Sequence, residues 1–134
     1  MITGPLDHPG YADSVQPEKD AISLLDKKVE MADTPEKKVK RKVTTLLRKY
    51  DVWYFFPGNN GFGKSGIPDI ICIVAGQFIG IECKADRTKK PTRLQELCGQ
   101  EIAKAGGEWF LVCDDESLGK VEEYIRLILT STPR

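Results

Sequence analysis

The chain has 134 residues, 40% of them apolar and 30% charged, with 20 basic and 20 acidic side chains. That length suits one domain with a modest core and excludes two domains of ordinary size. The longest apolar run, Ile70 to Ala75, falls far short of the ~20 residues that a membrane-spanning helix needs. The polar, acidic start lacks the apolar segment of a secretory signal, so a protein that stays in the cytoplasm is expected.

Residues 1–20 contain Gly4, Pro5, Pro9, Gly10 and Pro17 without apolar periodicity and read as a flexible extension. A short helix over 21–32 is suggested by Ile22, Leu25 and Val29. The organised domain is expected over 34–134, with 1–33 as an appendage. Thr34 is a suitable N-cap and Pro35 a suitable first helical residue. Val39, Val43, Leu46, Leu47 and Tyr50 then follow the spacing of an amphipathic helix that ends at Asp51. Val52 to Phe56 is dense in strand formers. A loop over 58–66 leads to two strands, 69–75 and 78–84, joined by a Gly76-Gln77 turn. A basic loop, a helix over 92–105 stopped by Gly106-Gly107, a strand over 109–113 and a helix over 117–129 complete the chain. The order α-β-β-β-α-β-α predicts a single mixed α/β sheet flanked by helices.

Zero net charge conceals an asymmetry. Residues 35–93 hold 13 Lys/Arg against 5 Asp/Glu, and the remainder holds 7 against 15. The runs Lys37-Lys38-Val39-Lys40-Arg41-Lys42 and Arg87-Thr88-Lys89-Lys90-Pro91-Thr92-Arg93 suit a polyanion, because phosphate neutralisation supplies most nucleic-acid affinity. Lys37, Arg41, Arg87, Lys89, Lys90 and Arg93 are therefore candidate DNA contacts. A solvated helix face and a charged loop would look the same. The four cysteines, Cys72, Cys83, Cys98 and Cys113, form no C-x-x-C pair and are accompanied only by His8, which argues against zinc and for reduced, buried thiols.

Strand alternation gives the central hairpin its interest. With Gly76-Gln77 as the loop, Asp69, Glu82 and Lys84 share one face at one end, with Asp69 opposite Lys84 and diagonal to Glu82. Ile70, Cys72, Val74, Ile79, Ile81 and Cys83 occupy the other face and should enter the core. Two carboxylates so placed repel unless a cation joins them, and an oxygen-only ligand set favours Mg²⁺ or Mn²⁺. A structural salt bridge to Lys84 is the alternative.

The segments Gly66-Ile67-Pro68-Asp69 and Ile81-Glu82-Cys83-Lys84, separated by a hairpin, resemble the PD-(D/E)xK nucleases, and more narrowly the virus-type replication-repair nuclease (VRR-NUC) domain. The resemblance spans roughly 34–115 and includes Glu36 in the first helix and Gln95 in the second. It implies a restriction-endonuclease-like core, with Asp69, Glu82 and the Cys83 carbonyl as metal ligands, Lys84 as a catalytic residue, and Gln95 and Glu36 as auxiliary ones. It further implies a metal-dependent endonuclease on branched DNA such as four-way junctions, acting in replication, recombination or repair as a homodimer, in a bacterium or a phage-infected cell. Tyr124, Leu127 and Leu129, or the segment 21–32, are candidate interface positions. The alternatives are a non-catalytic nucleic-acid-binding module and a nucleotide-binding protein.

The last alternative rests on Gly58-Asn59-Asn60-Gly61-Phe62-Gly63-Lys64-Ser65, which fits the phosphate-binding pattern G-x-x-x-x-G-K-[ST]. Such a loop works by opening a helix at its lysine. Gly66 and Pro68 follow instead, so no nucleotide cofactor is expected. Asn59, Asn60 and Lys64 are better read as candidate DNA contacts, with a plain surface loop as the equal alternative. Trp53, Tyr54, Phe55 and Phe56 could stack on bases, with at most two available, and core packing is the expected use.

Overall fold

The computed structural model describes residues 34–58 and 63–131. The segments 1–33 and 59–62, and with them the expected extension, the 21–32 helix, Asn59 and Asn60, lie outside the described residues. Helix α1 (Pro35–Lys49) begins as expected: Thr34 is its N-cap, the Thr34 hydroxyl accepts from the Lys37 amide at 3.3 Å, and Pro35 opens the first turn. It is followed by β1 (Trp53–Phe55), β2 (Ile70–Val74), β3 (Gln77–Cys83), α2 (Arg93–Lys104), β4 (Glu108–Val112) and α3 (Asp115–Ser131). The strands form one sheet in the order β1-β2-β3-β4. The first three run antiparallel, whereas β4 pairs with β3 in parallel after the α2 crossover.

One face of the sheet holds the core. Ile70, Cys72 and Val74 of β2 and Ile79, Ile81 and Cys83 of β3 are buried there with Val43, Leu46 and Leu47 of α1 and Val121 and Ile125 of α3. Alternation thus sends every second residue of the hairpin beneath α1 and α3. Glu122 locks the two helices together, accepting from Lys49 Nζ at 2.9 Å and from the Tyr50 hydroxyl at 2.6 Å. Tyr124 and Leu129, expected outside as interface positions, instead pack against this core, and only Leu127 of the three is well exposed. Cys72, Cys83 and Cys98 are buried thiols, while Cys113, just beyond β4, is only half-buried. Burial pushes the Cys72 thiol up to about 12, which leaves it protonated and unreactive.

The other face is covered unevenly. Helix α2 lies over its β3–β4 half, where Trp109 fits against Gly99 and Ile102 against Gly80. The β1–β2 half carries Trp53, Phe55 and Ile73 in the open.

The hairpin register differs from the expectation by a turn. The pairs Val74↔Gln77, Ile73↔Phe78 and Ile71↔Gly80 make Ala75-Gly76 the two-residue loop, in place of Gly76-Gln77. Both loop residues have positive φ, 48° at Ala75 and 84° at Gly76, as in a type I′ turn whose twist matches the strands. The sequence suggested a turn with glycine first; the structure accepts an alanine in left-handed backbone to keep the better twist. Because the register moves by two positions, the same residues share each face, but Asp69 now stands opposite Glu82. An L-residue other than Asn or Asp is strained at Ala75. Ala75→Asn, which restores the preferred Asn-Gly turn, is expected to raise unfolding free energy by about 1 kcal/mol, to be read from the midpoint of urea denaturation with an unchanged slope.

Candidate active site

The acidic end of the open face is assembled from three elements. Asp69 lies immediately before β2, at the end of a loop that is held tightly on both sides. Gly66 has φ +79°, and a Cβ there would come within 2.3 Å of the Leu94 carbonyl oxygen, so the loop presses directly on the first turn of α2. Two residues on, Pro68 packs on Gly80 of β3, where a Cβ would meet its ring at 2.8 Å. Asp69 is then fixed by its own carboxylate, whose Oδ2 accepts from the Cys83 amide at 2.8 Å.

Glu82 projects from the same face of β3 and is 2% exposed, as buried as the core residues around it. One carboxylate oxygen, Oε1, accepts from Gln95 Nε2 at 3.1 Å. Gln95 is itself held by the capping box of α2: its Oε1 accepts from the Thr92 amide at 2.8 Å and its own amide donates to the Thr92 hydroxyl at 3.2 Å. The other oxygen of Glu82, Oε2, is buried and, when ionised, has no hydrogen-bond donor; protonated, it can share its proton with the facing Asp69 carboxylate. A buried carboxylate oxygen left alone is costly. Burial, followed by the facing Asp69 carboxylate, pushes the Glu82 pKa up to about 8, against the opposing pull of the Lys84 ammonium. The site thus binds a proton where a stronger positive charge would serve better.

Lys84 continues the line of Glu82, and its amide extends the β3–β4 ladder by donating to the Val112 carbonyl at 2.9 Å. No ion pair among the described residues engages its ammonium. The side chain of Cys83, between Glu82 and Lys84, is fully buried on the core side, leaving its backbone as its contribution.

A second lysine, absent from the expected set, stands in the site. Lys40 Nζ lies 3.5 Å from Asp69 and 3.7 Å from Glu36, bridging the two acids from α1. Its i+4 spacing from Glu36 was visible in the sequence, but the same spacing marks any surface ion pair; the reach to Asp69 is a tertiary fact. Glu36 itself stands one lysine away from the Asp69–Glu82 pair. Lys40, Asp69 and Gln95 line a cleft of about 650 Å³ together with Phe56, Pro57, Gly58, Lys64 and the 65–68 loop.

The expected DNA contacts divide. Lys64 lines the cleft, although its ammonium is paired with Glu101 at 2.6 Å. Arg87 is committed elsewhere, to Asp114 and Glu116 at the start of α3, and that pairing holds its guanidinium more firmly protonated. Arg93 lies 3.7 Å from Glu96 in its own helix. Lys89 and Lys90 are exposed in the loop before α2, and Lys37 and Arg41 lie on α1. Residues 63–69 contain no helix, so Lys64 does not open the helix that a phosphate-binding loop requires.

The two exposed aromatics of β1 correct the expectation of core packing. Trp53 is 60% and Phe55 43% exposed, with Phe56 beyond them at 55%, whereas Tyr54 turns to the core and its hydroxyl accepts from Arg48 Nε at 3.2 Å. Alternation was legible in the sequence, but which half of the sheet α2 leaves bare was not.

The raised Glu82 pKa has a thermodynamic signature in metal-free protein. Between about 4.5, the ordinary value, and about 8, folded protein holds a proton that unfolded chain has released. Stability must fall as pH rises through that window, by at most about 1.4 kcal/mol per pH unit for one proton. Thermal denaturation in EDTA should show this decline for the native sequence and lose it in Glu82→Gln. A native protein whose stability is flat from pH 5 to pH 8 would contradict the assigned protonation.

No family model matches the chain, and no curated protein matches it. Among solved structures, a VRR-NUC domain superposes with a TM-score of 0.55 at 20% sequence identity, covering 75% of this chain and all of that one. At that identity the likeness concerns architecture. The chain therefore has the fold of a VRR-NUC domain, a mixed α/β sheet flanked by helices of the restriction-endonuclease-like kind, as the two short motifs implied.

Proposed function

We propose that the chain is a Mg²⁺- or Mn²⁺-dependent endonuclease that hydrolyses phosphodiester bonds in DNA, with branched DNA such as a four-way junction as its substrate. The observation that carries this reading is the facing pair Asp69 and Glu82, with Glu82 Oε2 buried and without a hydrogen-bond donor and Lys84 next along the same face. The carboxylates of Asp69 and Glu82 would hold the cation, with the Cys83 carbonyl as a third donor. The described residues include no group of three His, Cys, Asp or Glu side chains able to hold a metal. Other positions would therefore fall to water and phosphate, an arrangement that Mg²⁺ favours. When bound, the cation would activate water and stabilise the charge that develops on the phosphate.

The remaining roles belong to the chain. Gln95 fixes one oxygen of Glu82 and so directs the other toward Asp69. The Cys83 amide likewise fixes one oxygen of Asp69. These hydrogen bonds hold the two carboxylates in place, which is what preorganisation contributes to rate, while a cation would displace the Lys40 ammonium from Asp69 and the proton from Glu82. Lys84 would orient the attacking water or stabilise the phosphate's developing charge. Lys40 and Lys64, which both line the cleft, would oppose the repulsion between the acids and an incoming backbone.

A homodimer is proposed with this activity, since a two-fold assembly presents two sites to the two strands that a junction nuclease must cut. A monomer in light scattering at micromolar concentration would remove that part.

Lys84→Ala and Asp69→Asn are each expected to lower cleavage by at least about 100-fold, while DNA binding survives. Labelled duplexes, flaps, splayed arms and four-way junctions, each with Mg²⁺, Mn²⁺ or EDTA, supply the measurement. Full cleavage in either variant or in excess EDTA would refute the mechanism. Binding without cleavage by the native chain in both metals would identify a non-catalytic DNA-binding module instead.

A further inference from the structure

The face that carries the acids does not end with them. Register places Asp69 and Glu82 in one row of the sheet, Phe55, Ile71 and Gly80 in the next, and Trp53, Ile73 and Phe78 in the one after. Successive rows on one face are two residues, or about 7 Å, apart along the strands. Trp53 and Phe55 thus lead away from the acids at the spacing of alternate residues, with ring centroids 5.5 Å apart and planes tilted by 54°. Phe56, more than half exposed, lines the acidic cleft itself beside Lys40 and Asp69.

Trp53 and Phe55 take no part in the core, and Phe56 touches it only edge-on through Tyr54, at 6.0 Å between ring centroids. Tyr54 supplies the core contact of β1, and α2 covers the other half of the sheet. Two large aromatics left in water on one short strand, with Phe56 exposed just beyond it, mark a surface used for binding. We propose that Trp53, Phe55 and Phe56 form a stacking platform for unpaired nucleobases, so that the DNA engaged at Asp69 and Glu82 carries a single-stranded segment across β1. This rests on the reading of those acids as the cleavage site.

The chemistry favours this occupant over a second copy of the chain. Aromatic side chains stack on any base through its π-face, and a basic groove tracks the accompanying phosphates. Lys40 and Lys64 stand in the cleft where those phosphates would pass. A single strand can cross the rings and still deliver its backbone to the acids.

The test compares the native chain with the double variant Trp53→Ala/Phe55→Ala and the aromatic-preserving Trp53→Phe/Phe55→Tyr. Binding of labelled oligo(dT) and of a blunt duplex is measured by anisotropy in EDTA, and cleavage of splayed-arm and blunt substrates is measured in Mg²⁺. The alanine variant should lose at least about tenfold in oligo(dT) affinity, keep its duplex affinity within twofold, and lose its preference for splayed arms. The aromatic variant should recover all three. Equal losses on both ligands, or none, would overturn the platform. So would light scattering that shows the alanine variant alone dissociating, because the face would then join two copies. The two readings fail separately. A native chain that cleaves nothing, with the aromatic effect on binding intact, refutes the endonuclease alone. Native cleavage with no aromatic effect refutes the platform alone.

Discussion

The antiparallel pairing of β2 with β3 is the constraint from which the acidic cleft follows. Because side chains alternate, one register sends six aliphatic and thiol side chains of the hairpin into the core and sets Asp69 against Glu82 on the other side. A slip by one position would bury the acids under α1 and α3 and expose the apolar set, so the drive to bury the core also fixes the acids. The strained Ala75 in the turn shows how strong this is. The chain tolerates a left-handed alanine rather than surrender the pairing.

Burying Glu82 opposes that drive, and the surroundings compensate only in part. Gln95 satisfies one oxygen, and the capping box that holds Gln95 makes the start of α2 a structural part of the cleft. Once ionised, the other oxygen has no donor, and the facing Asp69 makes ionisation harder still. Such a local conflict between chemistry and stability is what a site built for a cation, and not for its own sake, would contain. A structural salt bridge between Glu82 and Lys84 would have relieved it, yet Lys84 forms none among the described residues.

The elements that could be read from the sequence are those in which one periodic signal dominates. Thr34-Pro35, the Val43–Leu47 stripe and the alternating hairpin each point one way, and each is found in place. The same alternation is enough to bring Asp69, Glu82 and Lys84 to one face, and moving the turn by one residue, which shifts the pairing by two, leaves that result intact. What escaped depended on contacts between distant segments. Lys40 looked like an ordinary helix lysine until α1 packed beside the loop at Asp69. Trp53 and Phe55 looked like core residues because nothing in a strand's composition tells how far a distant helix reaches across the sheet. Tyr124 and Leu129 are half-buried for the converse reason: the core extends further around α3 than its main stripe.

The two close approaches around Asp69 have a consequence for how the cleft moves. Gly66 lies against the backbone at Leu94, one residue from Gln95, and Pro68 lies against Gly80, two residues from Glu82. The loop bearing one acid is therefore braced against both supports of the other. Thermal displacement of α2 or β3 would then carry the two carboxylates together, and the gap between them would fluctuate less than either does against the rest of the protein. A bulky residue at 66 or 80 would uncouple that motion and let the acids drift independently, even with every charged group still present.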